Sequence, residues 1–252
     1  MGVILRHFQM EPLHVFMTMP EASASLFNLG IYSVAEAARL TGVSTSRIRR
    51  WLRGYRFKSR GRRYATDALW HGQLDPIEGK LALGFLDLME VRFVDAFPKR
   101  GISWPTIHKT REKAMAHFPN ATHPFCTEKF LTNGRGLLVE VQEETGEQAL
   151  LDITKDQKVF DALVRPFARE LEFGPGDVLE RWWPMGREHR VALDPARDFG
   201  QPTLFTEGVS TQVIARSVKA NDGSVARVAE WYEIPVEAVQ DAVEFEERLL
   251  TA

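Results

Sequence analysis

The feature that most constrains this fold is the spacing of small, apolar and capping residues between Tyr32 and Leu52. Ser33 is placed to cap a short helix, with Glu36 three residues on as its capping-box partner. Val34, Ala37, Ala38 and Leu40 give that helix an apolar face. Gly42 then supplies a tight turn, where left-handed backbone costs glycine little. Val43 closes the corner, and Ser44 or Thr45 opens a second helix that carries Ile48, Trp51 and Leu52 inward. Small Ala38 lets the two helices cross closely, and Ile48 packs back. The spacing predicts a helix-turn-helix.

Charge says what such a unit could face. Between Ala37 and Thr66 there are ten Lys or Arg and no Asp or Glu, which leaves 22 basic against 34 acidic residues elsewhere. The formal net charge of −2 therefore hides a patch of +10 in a remainder of −12. A dense patch of one sign is the footprint of a polyanion-binding surface. The outward positions Ser44, Thr45, Ser46, Arg47, Arg49, Arg50 and Arg53 suit phosphates and guanine edges. An ordinary solvated arginine face would not need the turn pattern beside it.

The next stretch, Tyr55 to Tyr64, alternates aromatic and basic residues around a glycine-containing turn. It reads as a two-stranded wing, with Phe57 and Tyr64 packed and Arg56, Lys58, Arg60, Arg62 and Arg63 beside a nucleic-acid backbone. YSVAEAARLTGVSTSRIRRWL, the GRRY of the wing, and FLDLMEVRFVDAFPKRGISWPTIHK together resemble the MerR-type winged helix-turn-helix, over about Tyr32 to Phe118. The resemblance implies two further helices, the second opened by Gly101-Ile102-Ser103, and double-stranded operator DNA as the ligand. The long dimer helix that usually ends MerR regulators has no obvious counterpart here.

The chain is long enough for two or three small domains. One cysteine, Cys126, excludes an internal disulfide and fits a reducing cytoplasm. No apolar run reaches the length of a membrane span, and residues 1–30, lacking a signal core, read as a tail of uncertain role. Residues 31–118 form the winged domain in this reading, 119–190 a central β-hairpin and helix region, and 191–252 a C-terminal helical module. In the centre, Lys129–Thr132, Leu137–Val141 and Ala149–Ile153 are separated by Asn133-Gly134 and Thr145-Gly146, so short antiparallel strands are expected. Arg181 to Pro184 reads as a strand packing its indoles. The expected class is α+β, mainly α, with a small central sheet between two helix-turn-helix-like ends.

The C-terminal segment carries Asp194-Pro195, Phe199-Gly200-Gln201-Pro202, Val209-Ser210-Thr211 opening a helix, then Ser224 to Tyr232, Ile234-Pro235 and Val239. These features resemble a module found in antitoxins of VapBC-type toxin–antitoxin pairs. The resemblance implies a PIN-type ribonuclease toxin as partner. The same segment repeats the first motif, with Ala229 where Ala38 falls and Val239 where Ile48 falls. Its second helix carries Glu237, Asp241 and Glu244, so phosphates are repelled and a protein surface is expected instead, either a basic partner or a second copy.

Other constellations point away from chemistry. His108, His117, His123 and Cys126 lack the closely paired spacing of a structural zinc site. Gly134-Arg135-Gly136 reads as a turn rather than a phosphate cradle. No nucleophile motif is present, so neither an enzyme nor a cofactor is expected. The sequence thus favours a DNA-binding antitoxin that acts as a homodimer. The alternatives are a MerR-like regulator whose C-terminal half holds a small ligand between Trp182, Trp183 and Trp231, and a plain interaction scaffold.

Overall fold

The chain's first described strand, β1 (Tyr32–Ser33), pairs antiparallel with β4 (Ala82–Leu83), Tyr32 lying opposite Leu83. The computed structural model describes residues 28–59, 61–119 and 121–251, so the expectation for residues 1–30 falls outside it except at positions 28–30. Ser33 ends the strand and caps α1 (Val34–Thr41). Its Oγ accepts the Glu36 amide at 3.1 Å, and the Glu36 carboxylate accepts the Ser33 amide at 2.8 Å. Gly42, at φ +69°, turns the chain into α2 (Thr45–Arg53), whose buried side chains are Ile48, Trp51 and Leu52. Ser44 stands at the N-cap of α2 without a side-chain capping bond.

Helix α2 stops at Gly54, also at positive φ, where an added Cβ would stand 2.2 Å from the Thr66 carbonyl oxygen. Glycine is thus what lets the hairpin of β2 (Tyr55–Ser59) and β3 (Arg62–Thr66) close against the end of α2. Then come α3 (Phe85–Ala96), a short 3-10 turn at Pro98–Arg100, and α4 (Trp104–His117), which starts after Ser103. The restart after Ser103 lies where the resemblance implied a helix opened by Gly101-Ile102-Ser103.

The centre differs from it. Lys129–Thr132 and Leu137–Val141 lie in one helix, α5 (Glu128–Thr145), and Ala149–Ile153 in another, α6 (Gln148–Thr154). The buried residues Phe130, Leu131, Gly134, Leu137, Leu138 and Val141 recur at helical spacing, and Thr127 caps the helix by accepting the Phe130 amide at 3.1 Å. Gly134 is no hairpin turn: an added Cβ there would come within 2.9 Å of the Phe130 ring, so the glycine makes room for that ring. Gly146 is the left-handed C-cap of α5 rather than a strand turn. Gly134-Arg135-Gly136 is likewise helical, with Arg135 donating to the Thr154 carbonyl at 2.8 and 3.0 Å.

After α7 (Gln157–Glu170) the sheet appears, later than expected. It is an antiparallel meander of β5 (Leu171–Gly174), β6 (Val178–Trp182), β7 (Val191–Leu193), β8 (Pro202–Leu204) and β9 (Val209–Ser210). Three helices finish the described chain: α8 (Thr211–Ala220), α9 (Val225–Tyr232) and α10 (Val236–Thr251). The protein is mixed α/β and mainly helical. One hydrophobic core runs from Tyr32 to Phe245. Its two ends are tied directly: the buried Tyr32 hydroxyl donates to the Gly200 carbonyl at 2.6 Å, and the Ile31 amide donates to the Phe199 carbonyl at 2.9 Å. No described helix is long and apolar enough to cross a membrane.

Candidate nucleic-acid interface

The expected basic surface divides into two kinds of arginine. Arg49, Arg50 and Arg53 of α2 are exposed. Arg47 is half-buried and reaches back to Asp95 of α3, Nη1 to Oδ1 at 2.6 Å, with its guanidinium 5.2 Å from the Trp51 ring. Asp95 is buried and also accepts Lys99 at 2.7 Å. Arg47 therefore pins α2 to α3, a task invisible in the local pattern because its partner lies far along the chain. Arg50 rests over the Tyr55 ring at 5.3 Å, which holds its stem down while leaving its edge open. Ser44 and Ser46 face one another at 3.2 Å between their hydroxyl oxygens, and Thr45 is half-buried.

The hairpin sorts its side chains by strand alternation. The register pairs Phe57 with Tyr64 and Lys58 with Arg63, so Tyr55, Phe57, Arg62 and Tyr64 share one face, and Arg56, Lys58 and Arg63 share the other. The Phe57 and Tyr64 rings stack at 5.2 Å and 19°, yet both remain exposed. They pack against each other rather than into the core. Arg60 lies outside the described residues.

The residues weighed for a metal are spread apart. His123 is buried, its Nε2 2.8 Å from Asp87 and its Nδ1 2.9 Å from the Thr122 hydroxyl. Asp87 also accepts the Trp70 indole and the Gln73 and Gly84 amides, so it holds the β4–α3 junction together. Cys126 donates to Glu90 at 3.3 Å, and burial raises the pKa values of both. Among the described residues no group of three possible metal ligands is assembled.

At the other end, α9 and α10 repeat α1 and α2 landmark for landmark, 191 residues later. Ser224 caps α9 as Ser33 caps α1, each accepting the amide three residues on. Glu233 is left-handed at φ 55°, where Gly42 is, and its amide donates to Ala229 as that of Gly42 donates to Ala38. Val236 begins α10 where Thr45 begins α2, and Val239 and Ile48 are both fully buried. On the same helix the charge inverts: Arg50 and Arg53 correspond to Asp241 and Glu244. The copies part at Gly54, whose counterpart is the buried Phe245, so α10 runs on where α2 gives way to a hairpin.

Of the three acidic residues expected to meet a partner, Glu237 and Glu244 are exposed, Glu244 paired with Arg248 on the next turn. Asp241 is committed inside the chain, its carboxylate 2.9 Å from both the His189 ring and the Arg190 amide. Exposed Glu230 and Glu233 extend the acidic surface, and beside them Trp231 is 61 % exposed. The sequence reading missed these positions. Alignment of Glu233 with Gly42 would have found it.

The three tryptophans expected to enclose a ligand do not share a site. Trp182 is buried with the Arg92 guanidinium 4.2 Å above it and its indole donating to Glu170; Trp183 donates to Glu172; Trp231 stands in solvent.

Known proteins enter in two degrees. No family model matches the chain. Its fold is that of the crystal structure of Rv2018 from Mycobacterium tuberculosis, with a TM-score of 0.64 and 19 % identity over 86 % of this chain and 99 % of that one. In sequence, it is similar to the protein of Mycobacterium tuberculosis named "Putative antitoxin VapB45", 23 % identical over 233 residues, which cover 86 % of this chain and 94 % of the relative.

Proposed function

We propose that this chain is a DNA-binding antitoxin of a VapBC-like toxin–antitoxin pair. Residues 31–118 act as a MerR-like winged helix-turn-helix, with α2 in the major groove and the hairpin against the backbone. Arg49, Arg50 and Arg53 face bases and phosphates, while Arg56, Lys58, Arg62 and Arg63 contact phosphates and set the salt dependence. A symmetric dimer fits this mode of reading, because one such unit spans few base pairs and paired half-sites need paired readers. Residues 191–252 hold the toxin, a ribonuclease of PIN type, in the cytoplasm.

The observation that carries the reading is the inversion of charge between two helix pairs of one design. A basic outward helix attracts a polyanion, and an acidic one repels it. A ribonuclease that grips RNA presents a basic surface, and an acidic helix can cover that surface in place of the substrate. The similarity to the VapB45 protein supports the same assignment. Co-expression with the neighbouring reading frame tests it: the two products are expected to co-purify and the toxin to be inactive in the complex. Separate elution with full toxicity would reject the antitoxin role.

A further inference from the structure

Under the hairpin, between α2 and the start of α4, lies a cavity of about 460 Å³ that shares only Arg50 with the proposed groove-reading arginines. Its walls are aromatic: Trp51 and Trp104 form a corner with ring centroids 5.6 Å apart and a 51° tilt, and Tyr55 and Phe57 close the hairpin side with centroids 5.6 Å apart. Few polar groups enter it. Arg50 offers a fork of N–H donors, and Asp67 and His108 provide the opposite polarity. Arg47 also lines the space, but its charge is already matched by Asp95. Burial and the nearby Arg111 lower the His108 pKa, with Asp67 opposing them.

This composition limits what fits. The volume is that of a small-molecule site, mostly apolar with a few convergent polar groups. Indole and phenyl faces favour a flat ring system, because every nucleobase has a face that stacks on them. The polar edge needs a ring with acceptors for a guanidinium on one side and donors for a carboxylate on another. A guanine base carries both, presenting O6 and N7 to arginine and its N1 and N2 protons to an acid. A purely aliphatic ligand would use neither the N–H fork of Arg50 nor the carboxylate of Asp67, and would have no ring to stack on the indoles.

We propose that this cavity binds a guanine-type purine base, stacked on the Trp51–Trp104 corner, with Arg50 and Asp67 on its edges. The base could belong to a free nucleotide or to an unpaired nucleotide of a strand, since the recognising groups are the same. The site does not depend on α2 reading duplex DNA, so it can be tested without an operator.

The test is calorimetric titration of the full chain with guanosine 5′-monophosphate and, separately, uridine 5′-monophosphate. Both carry the same phosphate, so attraction to the basic patch cancels and the difference reports the base. The guanine nucleotide is expected to bind roughly tenfold tighter, the order of discrimination given by one bidentate arginine–guanine pair. Trp104→Leu, at a partly exposed helix start, should weaken binding of the guanine nucleotide by roughly tenfold or more, and Asp67→Asn should reduce the preference for it. Indole N–H resonances of Trp51 and Trp104 in the unaltered protein should shift with the guanine nucleotide, a readout that needs no variant to fold. A guanine-bearing single strand, compared with the free nucleotide, identifies the source of the base. Equal binding of the two nucleotides, or indole resonances that do not move, would overturn the proposal.

Discussion

The hydroxyl of Tyr32 donates to the carbonyl of Gly200 across 168 residues of chain, from a fully buried ring. This bond joins the strand before the basic helix pair to the loop before the acidic one. Removing the hydroxyl in Tyr32→Phe leaves a buried carbonyl unpaired and should cost about 1–3 kcal/mol. Urea denaturation would show the loss as a lower midpoint with unchanged slope.

The same contact changes what truncation does. From sequence, deletion of residues 191–252 should spare DNA binding, because the two ends look independent. The continuous core and the Tyr32–Gly200 bond predict instead that truncation exposes Tyr32 and weakens the amino-terminal fold. A truncated chain that unfolds at the same denaturant concentration as the full protein would contradict this.

Arg47 and Arg49 should separate cleanly. Arg47→Ala removes one partner of buried Asp95, which keeps Lys99, and the arginine is itself partly solvated. A stability loss of about 1–2 kcal/mol is expected. Arg49→Ala should change stability by less than about 0.5 kcal/mol. Thermal unfolding of the two variants side by side checks the division.

The paired turns make a prediction in opposite directions. Gly42→Ala places a Cβ where the backbone is left-handed, and should destabilise by about 1 kcal/mol. Glu233→Gly relieves the same strain at the equivalent site, and should stabilise by a similar amount, about 0.5–1 kcal/mol. If both variants shift the unfolding midpoint the same way, the two turns are not equivalents.

For the acidic pair, Glu237→Lys with Glu244→Lys should weaken toxin neutralisation while leaving DNA binding intact. Asp241→Lys is expected to act differently, loosening α10 from the segment at His189 and Arg190. Co-purification at moderate salt, read beside the unfolding midpoint of each variant, distinguishes the two effects.

Much of this was legible in local sequence. The capping box at Ser33, the turn at Gly42 and the hairpin register are short-range matters, and residues within a few positions determine them. Leu137 to Val141 misled because Asn133-Gly134 has the look of a strand turn, while the opposing signal was a helical stripe from Phe130 to Val141. Arg47 and Asp241 were read as outward because helical phase puts them near the surface. What draws each inward is a partner 48 or 52 residues away, Asp95 or His189, which no window reveals.

The central claim, that the outward arginines of α2 read DNA, is tested most directly by footprinting on the region upstream of the gene. The unaltered protein is compared with a variant carrying Arg49→Ala, Arg50→Ala and Arg53→Ala. The account predicts a protected site for the unaltered protein, and a loss of affinity by roughly 1–3 kcal/mol for each arginine that reaches a base, with the unfolding midpoint unchanged. An equal affinity and the same protected sequence in the triple variant would contradict it.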